Sequence, residues 1–364
     1  MTTAEEKQEE KEQGQIREQT IQEIVDSSPI KNHYKIPYRG NLEEFPVYQI
    51  PLDALIYNKY NGRILSETKS MESLGTKILP HTKDGEEIIE ELLWKSKLDA
   101  NERTMDSLDK LGQEKVAVIS KDGVVIDGNR RTMLLNKLPQ YGHLETIILP
   151  LSSYDDWLEI EHIETQIQMG GDKAIDYDPI QIYLKIQSMY NQMDTNESGS
   201  FENEENDDVI FSPKFDKENI NKPAIKKIYG DIGNYKTIQS VKDIEFFLMV
   251  MDTMDEYLHS LDIPEAYPAL DGKEEQCRGL TTSLNHYYGQ KSVKPFPNYS
   301  DDDVDDYKLL AFDFIRLRQK NEDFRMIAGK KTREDHIIGD KERWKDFFDN
   351  HQKIVNRFSE EEFD

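Results

Sequence analysis

The segment Val124-Val125-Ile126-Asp127-Gly128-Asn129-Arg130-Arg131-Thr132-Met133-Leu134-Leu135 constrains the chain more than any other. Its β-branched opening predicts a strand, and the apolar residues from Met133 onward predict a helix. Gly128 supplies the backbone freedom that a tight strand-to-helix turn requires. Arg130, Arg131 and Thr132, with Asn129 beside them, then fall in a first helical turn. There the amides lack partners within the helix and the dipole adds partial positive charge. With two guanidinium groups added, such a turn can hold an anion such as a phosphate. The plainer alternative is an ordinary Asp-Gly-Asn turn with two solvated arginines.

The flanking sequence places this turn in a larger unit. Arg103 to Gly112 reads as a short helix ended by glycine, Lys115 to Ser120 as a strand, and Lys121-Asp122-Gly123 as the turn into the strand at Val124. That order of helix, glycine, strand, Asp-Gly turn, strand, Gly128-Asn129-Arg130-Arg131 and helix resembles the amino-terminal domain of the ParB/sulfiredoxin superfamily, whose pattern here is Gly-Glu-Arg-Arg or a close variant. Val47 to Ile56 is similar to the opening strand and short helix of that family, with Asn61-Gly62-Arg63 where ParB proteins carry Pro-Arg. Glu164-Thr165-Gln166-Ile167-Gln168, followed by Tyr177-Asp178-Pro179-Ile180-Gln181, is similar to the third family box, Glu-Asn-x-x-Arg with a Leu-x-Pro helix start. Thr165 and Gln168 depart from that box, and the stretch between Glu67 and Lys97 reads as an insertion.

The resemblance covers residues 45 to 190. It implies an α+β fold, a small mixed sheet with helices, followed by a mainly α-helical region. It also implies a nucleoside triphosphate, CTP first, bound with Mg²⁺. Gly128, Asn129, Arg130, Arg131 and Thr132 would hold the phosphates, Arg63 would add a cation, and Glu164 would coordinate Mg²⁺ or orient water. DNA and a second copy of the chain are the partners it implies. Read without the resemblance, Glu164 is also a solvated acid beside Glu159 and Glu161. Asp127 is either a helix cap or a carboxylate that handles a metal or a proton.

Composition narrows the rest. The formal net charge is −26, so any nucleic-acid contact must come from a local basic face. Acidic residues concentrate at 5–12, 202–208, 301–306 and 359–364. They read as solvated segments, with DNA mimicry or shielding of a basic surface as the alternative. The single cysteine, Cys277, excludes an intramolecular disulfide and a cysteine-cluster metal site, and it lies far from the arginine turn that sulfiredoxin chemistry would need beside a cysteine. It reads as a buried or incidental thiol. The histidines show no metal-ligand spacing, and no P-loop and no internal repeat are found. No apolar run approaches the ~20 residues of a membrane span. Met1 to Glu12 is charged where a signal peptide would be apolar, so a cytoplasmic protein without membrane contact is expected.

Five parts are expected along the chain. Residues 1–40 form a charged, flexible segment and 45–190 the ParB-like domain. Residues 191–218 form an acidic linker or insertion, 219–265 a helix-turn-helix, and 266–364 a helical region with an acidic tail. In the helix-turn-helix reading, Pro223 to Tyr229 is a first helix, 230–234 a turn and Tyr235 to Tyr257 a second helix. Five lysines against two aspartates between Lys222 and Asp243 make it locally basic, with Lys226, Lys227 and Lys236 as candidate DNA contacts. The alternative is a helical packing module with solvated lysines. Three functions therefore stand open: a nucleotide-dependent DNA-binding protein of ParB type, a triphosphatase, nuclease or small-molecule phosphotransferase on the same anion site, and an inert interaction protein that keeps the fold.

Overall fold

The computed structural model describes residues 4–169, 177–197, 220–233, 235, 237–288, 301–317, 324–327, 337 and 340–361. The backbone divides into two compact units, Met1–Glu245 and Phe246–Asp364. In the first, strands β1 (Asn32–Tyr38), β2 (Asn41–Pro51), β3 (Ile56–Tyr57), β4 (Ala117–Ser120), β5 (Val124–Asp127) and β6 (His143–Leu149) form one mixed sheet in the order β1-β2-β6-β4-β5-β3. The β4 and β6 pair is parallel, as is the β3 and β5 pair, and the other neighbours are antiparallel. The expected mixed α+β class is observed.

Side chains alternate across a strand, and here the alternation divides the core into two layers. Ala117, Ile119 and Val125 pack on one face with Leu93, Leu108 and Met133. Val118, Ile126 and Ile147 pack on the other with Ile160 and Ile163. The helices that supply these residues are α3 (Lys83–Ser96), α4 (Leu98–Leu111) and α5 (Asn129–Asn136) on the first face and α6 (Trp157–Met169) on the second. Thr82 caps α3 by accepting from the Gly85 amide at 3.2 Å, and Gly112 ends α4 at φ 73°.

The expected first boundary is corrected. The segment 1–40 is not a separate flexible piece: Ala4–Ser27 is a helix, α1, and Asn32–Tyr38 is the first strand. Ile21, Ile24 and Val25 share a stripe of α1, and Ile21, only 2% exposed, belongs to the core. The Arg17 Nε donates to the Asp122 carbonyl at 3.1 Å, and Tyr154 bonds Glu18. The stretch between Glu67 and Lys97 contributes to the same core, where Ile89 and Leu93 of α3 are fully buried.

The helix ends expected for the helix-turn-helix shift as well. After α7 (Pro179–Glu197), α8 (Lys222–Ile232) runs into the expected turn, and α9 (Val241–Ser260) starts later than Tyr235. The start of α9 is set by half of a capping box: the Asp243 carboxylate accepts from the Ser240 amide at 2.7 Å and from its hydroxyl at 3.0 Å. Tyr235 and Ile238, which the apolar spacing assigns to the helix, are instead buried residues of the connection. Phe247, Leu248, Val250, Met251, Met254 and Leu258 of α9 are also buried. Against one exposed lysine, Lys242, the helix carries Asp243, Glu245, Asp252, Asp255 and Glu256. It does not present the basic face that a phosphate backbone attracts.

The second unit continues with α10 (Glu274–Tyr288), α11 (Asp301–Arg316) and α12 (Lys341–Glu361). Tyr307 meets Trp344 edge to face at 5.8 Å. Cys277 on α10 is fully buried, and burial pushes its thiol up to about 12. Most of the expected acidic linker, from 198 to 218, and the basic turn at 330–333 lie outside the described residues. Among the described residues no helix is long and apolar enough to cross a membrane.

Removing the buried Ile21 side chain tests the docking of α1. Ile21→Ala is expected to lower the unfolding free energy by about 2–5 kcal/mol and to speed proteolysis within residues 4–27. A change below ~0.5 kcal/mol in denaturant unfolding, the range of surface substitutions, would show that α1 does not dock.

Candidate functional site

Gly128 stands at the joint between β5 and α5 with φ 121° and ψ 4°. A Cβ there would lie 3.0 Å from the Ala117 Cβ and 3.5 Å from Arg131 Nη1, so the turn can close only with glycine. The next residue staples the turn to the sheet: Asn129 Nδ2 donates to the Val125 carbonyl at 2.7 Å, and its Oδ1 accepts from the Asn58 amide at 2.8 Å. Thr132 is buried and its hydroxyl donates back to the Gly128 carbonyl at 3.2 Å. Asn129 and Thr132, both expected at the phosphates, therefore use their side chains to build the turn.

The two arginines diverge, because successive helical residues point about 100° apart. Arg130 is half-buried and donates to the Thr104 hydroxyl at 2.8 Å, which itself donates to the Ala100 carbonyl at 2.7 Å. Burial first, then the charges of Arg63 and Arg131, pull the Arg130 pKa down to about 10. Burial lowers the Arg131 pKa against the opposing charge of Asp127, and Arg131 Nη1 is buried with no hydrogen-bond partner. Among the described residues none of Arg63, Arg130 and Arg131 has a carboxylate within ion-pair distance. Asp127 is no helix cap: its Oδ2 pairs with Lys115 Nζ at 3.0 Å across the β4 and β5 hairpin. A guanidinium that is partly desolvated beside like charges favours an anion as its missing neighbour.

Arg63 is delivered by the loop 58–63. Gln181 on α7 donates to its carbonyl at 2.7 Å. Beside Arg63 opens a cavity of about 370 Å³, lined also by Ser96, Lys97, Tyr177 and Gln181. Asp178 lies at its wall, with one carboxylate oxygen engaged by the Ile180 amide at 2.9 Å at the start of α7. The Tyr177 hydroxyl is buried and unpartnered.

Glu164, expected at a metal, is fully buried on α6. Its two oxygens accept from Asn58 Nδ2 at 3.4 Å, Asn61 Nδ2 at 2.8 Å, the Gly62 amide at 3.3 Å, Gln168 Nε2 at 3.2 Å and Lys185 Nζ at 2.8 Å. Lys185, 2% exposed on α7, also donates to the Tyr60 carbonyl at 3.1 Å and lies 3.7 Å from Glu161. Burial works against its ammonium, yet the charges of Glu164 and Glu161 hold it above its ordinary range. A Cβ at Gly62 would stand 3.2 Å from Lys185 Cε and 3.1 Å from the Tyr177 hydroxyl, which is why the loop can approach α7 so closely.

The fold thus brings Arg63, Gly128, Arg130 and Arg131 to one region and gives Glu164 to an internal ion pair. Lys226 and Lys227 are exposed on α8, and Lys236 lies outside the described residues. Sequence reasoning missed Thr104, Lys97 and Lys185. For Lys185 a signal existed, a lone charge inside the apolar run Ile182 to Ile186, where an ion must find a buried partner. No family model matches the chain and no curated protein is significantly similar to it.

Gly128→Ala is expected to cost about 1–3 kcal/mol of stability from the left-handed backbone alone, read by urea denaturation. A loss under ~0.5 kcal/mol would mean that the turn is not held in this conformation.

Proposed function

We propose that this chain is a ParB-like nucleotide-binding protein in which the Gly128–Thr132 turn and Arg63 hold the phosphates of a nucleoside triphosphate, with CTP as the first candidate. One observation carries the reading. Arg130, in the first turn of α5, lies in the field of Arg63 and Arg131, and none of the three has a carboxylate paired to it among the described residues. Like charges held together in a partly desolvated place raise the energy of the site, and a polyanion lowers it. The half-buried Arg130 guanidinium and the first-turn amides of α5 are the donors that phosphate oxygens accept.

Glu164 favours binding over turnover. The candidate catalytic carboxylate is wrapped by five donors and reaches neither a water nor a phosphate without giving one up. The nucleotide then acts as an effector that shifts the protein between states, with pairing of two copies as the response. DNA contact is the second reading, supported by Lys226 and Lys227 exposed on α8 and confined to such a local patch by the charge of −26.

Calorimetric titration with CTP, ATP, GTP and UTP tests the site. Arg130→Ala is expected to weaken binding of the preferred nucleotide by at least about tenfold, the ~1.4 kcal/mol of one charged hydrogen bond. The melting temperature should stay the same or rise, since the change removes a like-charge repulsion. Unchanged affinity in Arg130→Ala would remove the turn from the phosphate site.

A further inference from the structure

We infer, resting on the phosphate-site reading above, that Lys185 takes the place of a divalent cation beside Glu164, so that this protein binds its phosphate ligand without metal. Mg²⁺ is implied by the family that the sequence resembles, and the residues present do not fit it. Mg²⁺ demands near-octahedral oxygen ligands at ~2.0–2.1 Å and usually enters on one or two carboxylates plus phosphate oxygens. The carboxylate expected to receive it is Glu164. Its Oε2 is held by the Lys185 ammonium at 2.8 Å, and its Oε1 by Asn61 at 2.8 Å, Gln168 at 3.2 Å and the Gly62 amide at 3.3 Å.

A metal reaching Glu164 would have to expel a buried ammonium or sit beside it, together with the charges of Arg63 and Arg130. Two of the neighbouring acids are already engaged. Glu161 is 3.7 Å from the same ammonium and bonded by Gln192, while Asp127 is paired with Lys115 at 3.0 Å.

Lys185 does more than neutralise. Through Glu164 and the Tyr60 carbonyl it fastens the loop 58–62, which ends at Arg63. It is a positioning residue: a metal would arrive with the ligand, whereas this ammonium is already in place and sets Arg63 beforehand. The positive charge that Mg²⁺ would add to a triphosphate is supplied by Arg63, Arg130 and Arg131.

Two measurements on the whole chain test this. The first is calorimetric titration with CTP, and with inorganic tripolyphosphate, in EDTA and in Mg²⁺. The second is titration with Mn²⁺ followed by electron paramagnetic resonance, on the wild type, Lys185→Met and Lys185→Arg. The dissociation constants should agree within about threefold with and without Mg²⁺. Mn²⁺ should stay free with the wild type and with Lys185→Arg, and become bound in Lys185→Met, where Glu161 and Glu164 lose their cation. Mn²⁺ binding by the wild type, or tightening of CTP by Mg²⁺ of about tenfold or more, would overturn the inference. The wild-type arms hold even if Lys185→Met does not fold. If neither CTP nor tripolyphosphate binds in any condition, the phosphate-site reading fails. The Mn²⁺ titration of the wild type against Lys185→Met still decides whether Lys185 excludes a metal.

Discussion

The ion pair between Glu164 and Lys185 organises the first unit. Burying two charges costs several kcal/mol per ion, and only close geometry with further hydrogen bonds offsets it. Both conditions hold here, with 2.8 Å between the charged atoms and amide donors from Asn58, Asn61, Gly62 and Gln168 on the carboxylate. The pair therefore stands only if α6, α7 and the loop 58–62 are all in place. That dependence makes it a registration device: removing one partner leaves an uncompensated buried charge, whereas the pair together fixes three segments. Arg63 inherits its position from this arrangement.

The sheet supplies the second fixed frame. Strands β4 and β5 are completely buried and paired, so the end of β5 is rigid where Gly128 turns into α5. Asn129 joins the two frames, because one end of its amide bonds Val125 on the sheet and the other receives the Asn58 amide. A pocket for an anion can be held to narrow tolerance by such a joint. Arg130 is aimed by the Thr104 hydroxyl, whereas Arg131 feels the opposing charge of Asp127.

The strand, glycine turn and helix from Val124 to Leu135 were legible because they rest on local rules: β-branched alternation, one residue free of Cβ, and unpartnered first-turn amides. The sheet order was not, since strands distant in sequence pair through the core. The opening of α9 shows the limit of periodicity. Tyr235 and Ile238 have helical spacing with the residues after them, but Ser240 and Asp243 form a cap that starts the helix later. In α1 the polar majority hides a short apolar stripe, Ile21, Ile24 and Val25, whose burial depends on a surface that only the folded sheet provides.

The chain by itself determined the mixed class of the fold, the glycine at the joint, and the presence of two arginines at a helix start. Each of these follows from covalent geometry within a few residues. Tertiary structure alone decided where those arginines point, that Arg63 joins them, and that Glu164 belongs to Lys185. The charge state and availability of a side chain depend on what is packed around it. Glu164 and Lys185 come from different helices, and their meeting is a property of how α6 and α7 pack.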